Sequence, residues 1–281
     1  MKSKPKGGLE RLRARAETIA LALAWHRRAR LLRRAPVPSR DPEGYLDALR
    51  GSLTAGAFPM WSPLANPAPG ALIGWDGRAR MLLMDSLARE VFSAGVPGDF
   101  VEAGVYRGGM SVYLAGLLRA LGGGARRLWA LDSFKGCPAP EDLQGSRFAR
   151  APQAQDDLRW AGRYACSIDS VRSHFAQHDL LDDRVRLVQG MFHETLPSTK
   201  IERVSLLHID ADLYSSTAEV LEHLYPKLSP GGFVVFDDYG FPECRRAVHD
   251  LRRALAVTTP IRMAATRWPV AYWQKAPAQG A

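Results

Sequence analysis

VSLLHIDADLYSSTAEVLEHLYPKLSPGGFVVFDD, residues 204–238, decides the fold. VSLLHID (204–210) is a short apolar run that ends in an acid, as a strand buried on both faces does. SSTAEVLEHLYPKL (215–228) follows with helical spacing and a Ser/Thr start. A Pro-Gly-Gly turn then leads into GGFVVFDD (231–238), a second apolar strand with an acidic end. Strand, helix and strand in this order return the chain to the same sheet edge, so the two strands run parallel.

The same alternation extends on both sides. DFVEAG (99–104), RLWALD (127–132) and RVRLVQG (184–190) read as strands. Helices are expected from Gly109 to Leu121, over 167–179 and over 243–255. IRMAAT (261–266) and PVAYWQK (269–275) read as a closing pair of strands. The fold class expected is α/β, a Rossmann-like, doubly wound, mostly parallel sheet with helices on both faces. Before it lies a helical cap, 37–96, with a Pro-, Gly- and Trp-rich loop from Phe58 to Trp75 and a helix from Arg78 to Ser93. The domain proper is read as 97–281. Its insertion, 134–166, is too long for a simple connection and is read as a lid, with Arg147, Phe148, Arg150 and Trp160 in it, the alternative being a disordered insertion with no catalytic role. Trp61 and Trp75 of the cap are candidates for an apolar wall.

Charge is unevenly spread. Residues 1–36 hold eleven of the 38 basic residues and two of the 29 acidic ones, so the whole formal charge of +9 lies in this arm. A neutral core argues against nucleic-acid binding, which needs a basic face. The arm reads as a solvated extension or as a contact for an acidic partner or an anionic membrane surface. Three scattered cysteines, Cys137, Cys166 and Cys244, suit neither a disulfide framework nor a zinc cluster, and a reduced, cytoplasmic setting is expected. The longest apolar run near the start, Ile19 to Trp25, is far short of the ~20 residues that span a bilayer.

Doubly wound sheets bind ligands beyond the carboxyl ends of their strands, so the residues there carry the function. After the strand at 99 comes Glu102-Ala-Gly104-Val-Tyr106-Arg-Gly108-Gly109. The glycines allow a tight turn and close backbone approach to a ligand. The spacing is not the G-x-G-x-x-G of dinucleotide folds, which argues against a nicotinamide-dependent oxidoreductase. It resembles the first motif of S-adenosylmethionine-dependent methyltransferases. Asp132, followed by Ser133 and Phe134, is the natural acceptor for both hydroxyls of a ribose. Gly190, Met191 and Phe192 offer either an apolar surface for an adenine ring or plain core packing.

His208-Ile-Asp210 closes one strand, and Asp237-Asp238 closes the next. Carboxylates converging at one mouth repel each other unless a cation neutralises them. Carboxylate oxygens are what a hard divalent ion prefers, so Asp210, Asp237 and Asp238 are candidate ligands of magnesium or a similar ion. His208 faces as Asp210 does, by strand alternation. It reads as an aid to substrate orientation or proton transfer, or as a satisfied buried histidine.

These residues fall in stretches that resemble the macrocin O-methyltransferase family: GVPGDFVEAGVYRGGMS, LDSFKGCP, LLDDRVRLVQGMFHETLP, HIDADLYSSTAEVLEHLYPKLSPGGFVVFDDYG and PECRRAVHDLR. Members methylate sugar hydroxyls on antibiotics such as macrolides and aminocoumarins. The resemblance implies S-adenosylmethionine as donor, bound Mg2+, Asp210 as both metal ligand and general base, a small hydroxylated acceptor and a homo-oligomer. His208 and the arm 1–36 depart from the family's usual pattern. Catechol-type metal methyltransferases are similar in their acidic layout but carry a lysine where this chain has Leu213. A non-catalytic nucleotide-binding protein and an RNA methyltransferase anchored by the arm are the alternatives. The intact acidic set speaks against the first and the neutral core against the second.

Overall fold

The computed structural model describes residues 40–54, 76–152 and 157–276. The arm 1–36, the loop at 58–75 and its two tryptophans, Trp61 and Trp75, lie outside them. The chain divides into two compact units, Met1–Arg78 and Ala79–Ala281. In the first, helix α1 (Pro42–Leu53) starts on Asp41, whose side chain accepts the Gly44 N–H. Pro42 stands in the first turn, where its missing N–H costs nothing.

The second unit begins within helix α2 (Gly77–Ser93) and holds a seven-stranded sheet in the order β3-β2-β1-β4-β5-β7-β6. These strands are β1 (Asp99–Ala103), β2 (Leu128–Asp132), β3 (Val185–Gln189), β4 (Val204–Ile209), β5 (Leu228–Phe236), β6 (Arg262–Met263) and β7 (Ala271–Gln274). β1 to β5 are parallel, and β7 runs antiparallel to both β5 and β6. The sheet grows from β1 outward to β3, then restarts at β4 on the other side. The switch therefore falls between β1 and β4.

Burial explains why these runs are strands. Every residue of β4 is buried, and so are four of the five in β1. Helices α3 (Gly109–Ala120), α4 (Ile168–Gln177), α5 (Phe192–Thr195), α6 (Tyr214–Leu224) and α7 (Pro242–Ala254) complete the described helices of this unit. Trp273 of β7 stacks on Phe236 of β5, ring centres 4.9 Å apart, and its Nε1 donates to the Tyr225 hydroxyl.

Three elements differ from expectation. The helix expected over 215–228 ends at Leu224, with Pro226 two residues on. β5 starts at Leu228 and runs through the Ser-Pro-Gly-Gly that reads as a turn. It does so by a register shift against β4, from Val204–Leu228 to Leu206–Phe233. The single turn α5 carries no periodic signal in the sequence and owes its place to Phe192, which packs on the core.

Candidate active site

The carboxyl ends of β1, β2, β4 and β5 build one mouth. At its centre Gly104 adopts a left-handed backbone, φ +88°, and its Cα abuts the Asp210 carbonyl, leaving no room for a Cβ. Glycine is required there on both counts. Gly108, φ +77°, begins α3 with its Cα against Val171 of α4.

Asp132 at the end of β2 organises the loop between β1 and α3. Its Oδ2 accepts the N–H groups of Val105 (2.6 Å) and Tyr106 (3.0 Å), and its Oδ1 that of Phe134 (2.7 Å). A carboxylate has about four acceptor positions, so capacity remains for a ligand hydroxyl. Ser133 turns inward, its hydroxyl donating to the Gly136 carbonyl, and Phe134 is buried. Gly190 follows β3 with its N–H on the Asp132 carbonyl. Met191 is partly buried beside it, and Phe192 sits against the core cluster.

Glu102, His208 and Asp237 form a line across three neighbouring strands. Glu102 and His208 are register partners on β1 and β4. His208 Nδ1 lies 3.2 Å from Glu102 Oε1, and its Nε2 lies 3.5 Å from Asp237 Oδ1. All three are at most 2% exposed, so Glu102 faces the interior, where it also bonds Ser111. Burial opposes a charge on His208, but its two acidic neighbours outweigh it and lift the imidazole to about 10. Burial lifts Glu102 too, against the pull of His208 and Ser111.

His208, Asp210 and Asp237 each bring a donor atom within 4.8 Å of the others, a group able to hold a metal ion. Asp238, expected as the third acid, is not in this group. Its Oδ2 accepts the N–H of Asp212, which is left-handed at φ 55°. Burial, with Asp237 and Asp238 beside it, pushes Asp210 well above the carboxylate range. Burial and two neighbouring acids push Asp212 up to about 8, and Asp238 also rises. Asp237 alone moves down. Burial would raise it, but the Arg80 charge and His208 hold it below the usual value. Arg80 of α2 places its Nη1 2.6 Å from Asp237 Oδ2. Nothing in the sequence pattern marked Arg80.

Among its described residues the insertion 134–166 includes two single turns of 3-10 helix, Pro140–Leu143 and Asp157–Trp160. Ser146 bonds Glu219 of α6, Arg147 pairs with Glu222, and Arg159 pairs with Glu243 of α7 at 2.5 Å. Its returning limb is aromatic. Tyr164 meets Tyr106 edge to face at 5.8 Å and stacks on Trp160, which meets Phe241 at 5.7 Å. Burial and the charges of Asp212 and other nearby groups push the Tyr164 phenol up to about 12. The insertion thus reaches the acidic mouth.

The model of the TylF macrocin-O-methyltransferases matches residues 65–275. The chain belongs to that family. It is 41% identical over 185 residues to the 8-demethyl-8-(2,3-dimethoxy-alpha-L-rhamnosyl)-tetracenomycin-C 4'-O-methyltransferase of Streptomyces olivaceus, covering 66% of this chain and 69% of that protein. It is 39% identical over 176 residues to the mycinamicin III 3''-O-methyltransferase of Micromonospora griseorubida, covering 63% and 68%. Its fold matches the O-methyltransferase NovP with a TM-score of 0.71 and 31% identity, covering 83% of this chain and 98% of that one. As a macrocin-type O-methyltransferase it is an enzyme. No helix among the described residues is long and apolar enough to cross a membrane.

Proposed function

We propose that this O-methyltransferase moves the methyl group of S-adenosylmethionine to a hydroxyl on the sugar of a glycosylated natural product, with a divalent ion in its acidic mouth. The observation that carries the reading is the convergence of Asp210, Asp237 and His208 at the switch between β1 and β4, beside the Gly104 turn. Relatives with sugar-directed names give the acceptor class.

The residues fit a cation on the structure's own terms. Asp237 Oδ1 and His208 Nε2 are buried, make no hydrogen bond, lie 3.5 Å from each other and belong to the group of donor atoms gathered around Asp210. Asp210 and Asp237 would hold the ion, with His208 and Asp238 next to it. A bound divalent ion lowers the pKa of an adjacent hydroxyl and orients it.

The chain's residues supply the rest. The Gly104–Gly109 loop and Asp132 bind the donor, with Asp132 on the ribose, Tyr106 and Phe134 at the loop's edges and Met191 near the adenine. Asp210 accepts the acceptor's proton, a role its carboxylate fills from beside the bound hydroxyl. The acceptor oxygen then forms a bond to the methyl carbon as the carbon–sulfur bond breaks, and S-adenosylhomocysteine leaves neutral. His208 keeps the acids in place. The insertion 134–166 closes the mouth against water. A homo-oligomer acting in the cytoplasm fits this reading.

Calorimetric titration with S-adenosylhomocysteine, with and without Mg2+, tests it. Micromolar binding that tightens with the ion supports it. No binding under either condition removes the donor from the account and moves a non-catalytic role to the front.

A further inference from the structure

Asp237 divides its two oxygens between different neighbours. Oδ2 receives the Arg80 guanidinium at 2.6 Å. Oδ1 is buried, has no hydrogen-bond partner and faces His208 Nε2 at 3.5 Å, within the group that gathers around Asp210. Arg80 is itself three-quarters buried, with 24% of its side chain exposed, and Asp237 is 2% exposed. Met81 and Met84, its neighbours on α2, are fully buried, which fixes the helix from which it reaches.

We propose that Arg80 is a positioning residue for the metal: by holding Asp237 Oδ2 it sets the carboxylate so that Oδ1 is presented to the ion beside His208 and Asp210. The inference rests on the metal reading above. Ligating carboxylates are commonly fixed by an outer hydrogen-bond donor, and losing that donor costs 10- to 100-fold in metal affinity. An arginine suits the task because its planar donor fork fixes direction as well as charge.

Simple charge repulsion makes the opposite forecast. A guanidinium beside a cation site should weaken the ion, so its removal should tighten binding. The sign of the change therefore decides. The experiment titrates Mn2+ into the full chain saturated with S-adenosylhomocysteine, with free Mn2+ read by electron paramagnetic resonance. Wild type, Arg80→Met and Arg80→Lys are compared. The expected result is at least tenfold weaker Mn2+ binding in Arg80→Met and a partial recovery in Arg80→Lys, with S-adenosylhomocysteine affinity measured without metal ion unchanged. Equal or tighter Mn2+ binding in Arg80→Met overturns the inference and leaves the metal reading standing. If Arg80→Met does not fold, as shown by lost S-adenosylhomocysteine binding, Arg80→Lys decides: a loss of threefold or more supports the proposal, and an unchanged affinity overturns it. No Mn2+ binding by wild type overturns the metal reading itself, and this inference with it.

Discussion

The Cα of Gly104 and the carbonyl oxygen of Asp210 lie against each other with no space for a side chain between them. The turn proposed to bind the donor and the acid proposed to activate the acceptor are thus in direct backbone contact. Asp210 N–H also donates to the Ala103 carbonyl at 2.8 Å, which ties the two strand ends together. Any shift of one moves the other.

Gly104→Ala is therefore expected to be severe. The new methyl overlaps the Asp210 backbone, and alanine resists a φ of +88°. The expected cost is about 3 kcal/mol or more. Urea denaturation monitored by circular dichroism checks it. An unchanged midpoint would show that the loop has slack.

Asp132→Ala removes the acceptor for the N–H groups of Val105, Tyr106 and Phe134. Loss of these charge-assisted bonds should destabilise the fold by about 2–3 kcal/mol. S-adenosylhomocysteine affinity should fall more than tenfold, and Asp132→Asn should lie between the variant and wild type. Calorimetry on all three proteins gives the ranking. Wild-type affinity in Asp132→Ala would remove Asp132 from the donor site.

Glu219, 4% exposed, anchors Ser146 of the insertion. Burial raises its carboxyl above the ordinary value of 4.5, against the pull of Ser146 and His193. The fold thus favours the protonated form. Its contribution is complete below about 4.5 and is lost as pH rises through the raised value. Glu219→Gln should flatten this loss, so denaturation midpoints at pH 5 and pH 8 should differ less in the variant than in wild type. An identical pH dependence would refute the assignment.

The insertion should respond to the aromatic limb that holds it. Trp160→Ala deletes the ring shared by Tyr164 and Phe241. Limited proteolysis should then cut within 134–166 several-fold faster than in wild type, and added S-adenosylhomocysteine should slow the wild-type cut. Equal cleavage rates in variant and wild type would mean that the limb is held by its ion pairs alone.

The places of the parallel strands along the chain were legible because each is a short apolar run closed by turn residues or an acid. Asp210 and Asp237 could be paired from sequence because one helix and one strand separate them. The line from Glu102 through His208 to Asp237 could not. Glu102 and His208 are 106 residues apart, and only the adjacency of β1 and β4 brings them together. That adjacency also gives His208, which the sequence leaves undecided, its two acidic neighbours. Arg80 was hidden for a similar reason: a lone arginine on a helix ahead of the sheet has no periodic or motif signal. The start of β5 was misplaced because Ser-Pro-Gly-Gly signals a turn, whereas the register shift against β4 absorbs it within a strand.

Asp210 is proposed to take the acceptor's proton at a site assembled for methyl transfer. Comparing Asp210→Asn with wild type, using radiolabelled S-adenosylmethionine and a panel of glycosylated natural products, tests this. Asparagine keeps the shape and removes the base. The variant should lose at least about a thousandfold in methyl transfer, on the scale of lost general-base catalysis combined with a weakened metal site. Without added metal ion, S-adenosylhomocysteine should still bind within about threefold of wild type, because a change in the reacting step need not alter donor binding. Transfer at the wild-type rate by Asp210→Asn would contradict the account.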